Sequence, residues 1–442
     1  MLKNAAKGNL GRDFWLFRSG QLVSVMGNAC SDIALAWWVL DVTKSAIYMS
    51  YILSTAVFIR VIVIPFLGPL GDRFERKKLI IISDVSRGLL FLVLGSMAFL
   101  KYFSLPIVLF IYGLEAIGTG LFHATSISIV PQLVTTDKLQ KAIRQTFVVS
   151  SMGKVSGGLI GGGLIALLGT SGAFFVNGIS FFVATLATFL IKSDTNPRKD
   201  EHNLKLLYQK QNPIKTWWHE FLEGFRILWK VSVFFWILML SMVMNIVSVP
   251  FNIALPAFIK MVASYPAWFL GMLYSSLSVG YIVGTMFLDK ARRGKIPRHI
   301  ILLVGNLMSG TGVLLIPLLP SMSLQIASIF MIGVGTSLFN VLLQTQKTLV
   351  TPDMYRSRLE SLSKFFAGLI APLGISMCGV FISVFGAGSA LIWMGIIIII
   401  FTPLFLMVPN FKEFFGLKPD DAQSFFHKYY QKADVKGEQV KI

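Results

Sequence analysis

LIIISDVSRGLLFLVLGSMAFL, residues 79–100, and LPIVLFIYGLEAIGTGLFHATSISI, residues 105–129, are two long apolar runs parted only by KYFS at 101–104. Each reaches the ~20 residues that an α-helix needs to cross a bilayer's hydrocarbon. Inside them stand Asp84, Arg87 and Glu115. A charge at that depth costs at least ~2.5 kcal/mol, so each of the three needs a partner or a task.

Runs of the same kind extend to both sides: 15–40, 46–68, 145–168 and 171–192 in the first part of the chain, then 233–259, 266–288, 299–319, 321–344, 361–384 and 388–408. The expected fold class is an all-α membrane protein with 12 transmembrane helices. The bulk composition agrees, with 55% hydrophobic and 14% charged residues and a mean hydropathy of +0.70. Soluble domains carry about 25% charged residues. The first run is longer than a signal-peptide core and is expected to remain as a helix.

A net charge of +19 raises the question of nucleic acid, but no soluble domain interleaves basic with exposed aromatic residues, and no nucleic-acid partner is expected. Of the 40 Lys and Arg, Lys44, Lys101 and Lys260 fall in loops of one side and Arg60, Arg87 and Lys154 lie within runs, Arg87 near the cytoplasmic end of its own. The remainder gather at the termini and at the alternate loops. The positive-inside rule then places both termini in the cytoplasm, with the basic loops facing anionic lipid. Cys30 and Cys378 sit in separate apolar runs, so neither a disulfide framework, a metal site nor another cofactor is implied. No G-x-x-x-x-G-K-[ST] loop occurs, so no ATP motor is expected within the chain and the energy source is a gradient or a partner. Convergent catalytic residues and a sizeable soluble domain are also missing from the pattern, so neither an enzyme nor a receptor is the expected class.

The two halves of the chain share landmarks at an offset of about 216 residues. LVTTD at 133–137 returns as LVTPD at 349–353, GPLGD at 68–72 has a degraded counterpart in GTMFLD at 284–289, and the turn glycine Gly169 returns as Gly386. Two pseudo-symmetric six-helix bundles are therefore expected, 1–192 and 233–408, with a linker at 193–232 and a polar, basic, partly mobile tail at 409–442. Within the linker, TWWHEFLEGFRILWK (216–230) puts Trp218, Leu222, Phe225 and Trp229 on one face. That pattern suits a helix lying on the inner membrane surface, or a cytoplasmic extension of the next span.

GPLGDRFERKK, residues 68–78, joins the second and third spans. It resembles the Gly-x-Leu-x-Asp-Arg-x-x-Arg-Lys/Arg signature of the major facilitator superfamily. The match holds at Gly68, Asp72, Arg73, Arg76 and Lys77 or Lys78, while Pro69-Leu70-Gly71 departs in detail. The resemblance implies the major facilitator fold and a gate loop that locks the cytoplasmic side; topology alone is the competing reading for the four cations, and the acid, the glycines and the repeat context weigh against it. PQLVTTDKLQKA (131–142) and FFVNGISFF (174–182) are similar to the branch of bacterial macrolide-efflux and siderophore (enterobactin) exporters, which implies export across a bacterial inner membrane, with a monomer as the family default. In GKVSGGLIGGG (153–163), Gly157, Gly161 and Gly162 match the kink motif of antiporter members, but Gly158 stands where they carry proline. Close helix packing accounts for these glycines equally well.

At ~1.5 Å per residue, Arg60, Lys154 and Glu115 lie about 12, 14 and 15 Å from the nearest ends of their spans, near the midplane. Glu115 paired with a cation stays ionised, and breaking the pair favours proton uptake. Glu115 is thus the first proton-coupling candidate, with Asp32 in the first span the second and Arg60 and Lys154 as counter-charges. Asp84 and Arg87, three residues apart, are expected to support the gate loop or to form a structural pair. His123 suits packing better than proton relay. Trp37, Trp38, Asn245 and Asn252 are possible cavity-lining residues. The expected function is export of a small amphipathic substrate by alternating access with proton antiport; a lipid or lysophospholipid translocator of the same fold is the alternative, and a non-transporting receptor comes third.

Overall fold

The computed structural model describes residues 10–67, 74–135, 138–195, 225–226, 228–291, 296–417, 425 and 428. Its helices are α1 (Arg12–Thr43), α2 (Ala46–Leu67), α3 (Arg76–Phe99), α4 (Leu105–Leu133), α5 (Leu139–Phe189), α6 (Ser232–Ser248), α7 (Phe251–Ala257), α8 (Ala267–Ala291), α9 (Arg298–Leu315), α10 (Met322–Val350), α11 (Asp353–Phe385), α12 (Ala387–Phe401) and α13 (Phe411–Gly416). A π-helix, Phe258–Val262, follows α7, and a 3-10 helix, Thr402–Met407, follows α12. Among the described residues there is no strand.

Eleven helical runs are long and apolar enough to cross a membrane. One of them, Lys141–Phe189, has 49 residues, and at ~1.5 Å per residue it is more than twice as long as the hydrocarbon layer is thick. It breaks at Gly169, whose φ of 70° and ψ of −177° are not helical. The expected count of twelve rests on dividing α5 there. Gly386, between α11 and α12, has φ 82°, so the two glycines paired in the sequence both break the helical course of the chain at a positive φ. Lys44 after α1 and Ser264 after the π-helix form a second such pair, at φ 51° and 56°.

Large apolar side chains such as Phe110, Leu167, Met286, Met377 and Met407 are exposed. Lipid is the solvent that accepts them, and it also removes the hydrophobic drive for helices to associate. Close packing through small residues and buried polar contacts takes its place.

The chain forms two compact units. The first contains 1–204 with 252–278 and 375–387. Here α1 lies along α5, where a Cβ on Gly157 would stand 2.7 Å from Ala29 Cβ and one on Gly161 2.7 Å from Cys30 Cα. Asn177, in the FFVNGISFF segment, donates to Ser31 Oγ at 2.7 Å and to Asn28 at 3.3 Å, fixing the second arm of α5 against α1. Phe91 stacks on Phe174 and Phe181, and Trp38 meets Phe174 edge-on. The second unit contains 205–251, 279–374 and 388–442. In it Asn306 donates to Thr402 at 2.8 Å, and Gly395 approaches Gly310 as Gly178 approaches Gly88 in the first unit.

Two segments add local detail to the expected layout. The run 233–259 is interrupted between Ser248 and Phe251, around Pro250, whose ring and missing N–H oppose an unbroken helix. The start of the tail is anchored, because Phe411, Phe414 and Phe415 fall on one face of α13 and are buried, while Gln346 and Arg298 bond the carbonyls of Phe414 and Leu417. In the linker, Phe225 and Trp229 stack at 6.4 Å, while Trp218 and Leu222 lie outside the described residues.

Candidate functional site

Four charges that the sequence places in separate runs converge in the first unit. Arg60 of α2 brings Nη2 to 3.9 Å from Glu115 Oε2 of α4. Asp32 of α1 lies in the electrostatic field of Glu115, Arg60 and Lys154. Two acids and two bases leave the cluster neutral when all are ionised, which reduces the penalty for holding them at membrane depth. Asp32 is exposed although Cys30, Ser31, Ile33, Ala34, Leu35 and Ala36 around it are buried, so α1 turns this one carboxylate towards open space.

Glu115 has a second attachment. Thr119, one turn further along α4, donates its hydroxyl to Glu115 Oε1, and Arg87 Nη1 of α3 donates to that hydroxyl at 3.4 Å. Arg87 Nη2 pairs in turn with Asp84. A hydroxyl can donate to a carboxylate while accepting from a guanidinium, so polar contacts run without a break from Arg60 through Glu115, Thr119 and Arg87 to Asp84. The Asp84–Arg87 pair is almost wholly buried, with the guanidinium 4.2 Å from the Phe181 ring and 4.7 Å from Phe122. Beside it, Ser83 donates to the Gly118 carbonyl at 2.7 Å, locking α3 to α4 at the same level.

Of the gate-loop residues, Gly68, Asp72 and Arg73 lie outside the described residues. Arg76 opens α3 and donates to the Ser128 carbonyl at 3.0 Å. Lys77 donates to the Ile191 carbonyl at 2.7 Å and stands 5.4 Å from the Phe189 ring, a cation at the carboxyl end of α5. Lys78 is exposed and pairs with Glu75 at 3.0 Å. Arg76 and Lys77 thus bind the end of the loop to α4 and α5, whereas Lys78 faces solvent.

The glycines of α5 serve two neighbours. Gly153, Gly157 and Gly161 meet α1, while Gly158 and Gly162 meet α8, where a Cβ would lie 2.7 Å from Ser275 Oγ and 2.8 Å from Trp268 Cα. Ser275 donates to the Val155 carbonyl at 2.9 Å. Of the aromatic and amide residues, Trp38 is buried, Trp37 is half-buried against Lys260, Asn245 bonds Ser241 of its own helix, and Asn252 is exposed. His123 is exposed and lies in the field of Arg60, Arg87 and Lys154.

Sequence reasoning missed Thr119, Tyr112, Tyr274 and Lys260. Thr119 was within reach, being four residues from Glu115 on one helix. Tyr112 of α4 and Tyr274 of α8 lie in the electrostatic field of Asp32, which no local pattern reveals.

The family model for the Major Facilitator Superfamily matches residues 19–345. The chain belongs to that superfamily. It is a multi-pass membrane transporter rather than an enzyme. Among curated relatives it is 25% identical over 346 residues to the enterobactin exporter EntS of Shigella dysenteriae serotype 1, covering 75% of this chain and 78% of that one. It is 22% identical over 400 residues to macrolide efflux protein A of Streptococcus pyogenes, covering 87% and 93%. In fold it is similar to an inward-facing, unoccupied bacterial homologue of the human lysosomal transporter Spinster, with TM-score 0.68, 15% identity and coverage of 96% and 99%. It is also similar to a D-xylose–proton symporter, with TM-score 0.66, 13% identity and coverage of 90% and 99%.

Proposed function

We propose that this transporter exports a small amphipathic compound from the bacterial cytoplasm across the inner membrane by alternating access, exchanging it for protons, with both termini on the cytoplasmic side. The carrying observation is Glu115, paired with Arg60 at 3.9 Å and bonded to Thr119, within the field of the exposed Asp32. In the ionised cluster the charges cancel; a proton on either carboxylate leaves net positive charge, loosens the hold on Arg60 and gives the helices a reason to rearrange. The exchange of partners couples proton entry to substrate release.

Export as the direction and an amphipathic solute as the cargo draw support from the relatives, one named an enterobactin exporter and the other a macrolide efflux protein. The test uses purified protein in liposomes with an imposed pH gradient, offered a macrolide, a catecholate siderophore and a lysophospholipid in parallel. Glu115→Gln and Asp32→Asn are expected to abolish the response of export to the gradient while substrate still binds. If both leave gradient-driven export unchanged, the coupling scheme is wrong; movement of the lysophospholipid alone would replace the solute with a lipid.

A further inference from the structure

The sequence puts Lys260 in a loop, with no evident task. The structure puts it inside the span, in the five-residue π-helix Phe258–Val262. A π-turn inserts a residue into the helical register and re-aims the side chains around it, and such turns concentrate at working positions. Lys260 is aimed at α1: Nζ donates to the Trp37 carbonyl at 2.9 Å, lies 3.0 Å from Asp41 Oδ1 and stands 4.5 Å from the centre of the Trp37 ring. Its side chain is only 13% exposed, whereas that of Asp41 is 63% exposed. Lys44 approaches the same carboxylate at 3.4 Å, so Asp41 serves an exposed cation and a covered one.

The position of this contact matters as much as its chemistry. Lys260 belongs to the later half of the sequence, Trp37 and Asp41 to the earlier half, and they meet at the end of α1 remote from Arg12. The other contacts that bring later residues into the first unit include Ser376 with Ser54 at 3.0 Å, and Gly379, where a Cβ would strike the Ser50 side chain. These are apposed hydroxyls and close-packed small residues, which separate with little electrostatic penalty. Lys260 alone among these contacts brings a full charge to one of the opposite sign.

We propose that the Lys260 ammonium, held by Asp41, the Trp37 carbonyl and the Trp37 ring, is the latch of the outer gate: it must let go before the transporter can open outwards, and its strength sets how often it does. The proposal rests on the alternating-access reading and on the orientation given by the basic loops. It does not depend on which solute is carried or on proton coupling through Glu115.

Cys378, buried and adjacent to Gly379, is a built-in reporter of this end. In whole cells expressing the full chain with Cys30→Ala, labelling of Cys378 by a membrane-impermeant maleimide added outside measures outward opening. Lys260→Met keeps the length of the side chain and removes all three contacts, so labelling is expected to accelerate on the order of tenfold. Asp41→Asn removes only the exposed partner, and about two- to fivefold is expected, in line with exposed ion pairs. High salt should accelerate labelling of the parent by screening the pair, and leave Lys260→Met unmoved. A merely loosened fold would not show that loss of salt response. Equal labelling of parent and both variants overturns the proposal, as does a salt response that survives in Lys260→Met. Because export is not the readout, failure of the Glu115 and Asp32 test leaves this result standing, and the reverse holds too.

Discussion

Replacing Arg87 by Leu is expected to be the most destabilising single change within the polar chain, and the structure sets the size. The Asp84 and Arg87 side chains are 2% and 3% exposed, so loss of the guanidinium leaves a carboxylate buried without its counter-charge. Breaking one side of a buried pair costs ~3–5 kcal/mol. At about 2–4 °C per kcal/mol for units of this size, the unfolding temperature should drop by roughly 6–20 °C. Asp84→Leu is expected to do less, because Arg87 keeps the Thr119 hydroxyl and the faces of Phe122 and Phe181, and a desolvated cation–ring contact contributes up to ~2 kcal/mol. The double variant should recover most of the loss, since replacing both charges by apolar groups is often neutral or favourable. The assay is thermal unfolding of purified protein in detergent at one fixed scan rate, read by a thiol-reactive fluorophore, because Cys30 and Cys378 are thiols outside any disulfide and stay buried until the fold opens. Additive effects of the two single changes, or a fall of less than about 2 °C for Arg87→Leu, would refute the reasoning.

Two further outcomes follow from packing. Adjacent glycines of α5 make a controlled pair: a Cβ on Gly162 would sit 2.8 Å from the Trp268 backbone, and one on Gly163 would meet nothing within 4 Å. Gly162→Ala is expected to cost ~1–3 kcal/mol through displaced backbone, while Gly163→Ala gains up to ~1 kcal/mol of helix propensity; opposite shifts in unfolding temperature check both. Phe414 is fully buried, its ring 5.8 Å from Phe234 and 5.1 Å from Phe415. Phe414→Ala should remove ~3–5 kcal/mol of packing and release α13, seen as faster tryptic cleavage at Lys412.

The spans, the internal repeat and the landmark turns were legible in the sequence because each is local. A run of some twenty apolar residues has one low-energy course in lipid, a helix that satisfies its own backbone, whatever its neighbours do. Gly169 and Gly386 announce themselves for a related reason, since a positive φ at a helix end favours a residue without Cβ. The intramembrane charges were legible as a set, because lipid makes every one of them conspicuous. Even the Asp84–Arg87 pair could be drawn from spacing alone, three residues along one helix.

What the tertiary structure alone decided is which charge meets which. Arg60 and Glu115 are 55 positions apart, and their 3.9 Å approach depends on how α2 lies against α4. The Thr119 bridge needs α3 and α4 in one register, and the two faces of the α5 glycines are distinguishable only when α1 and α8 are in place. Lys260 is the sharpest case. Its residue type suggested a loop, whereas a π-turn and a waiting carbonyl, carboxylate and ring hold it inside the helical span. Hydropathy reports what solvent a segment prefers; the partner of a charge is set by distances between helices, which no single segment contains.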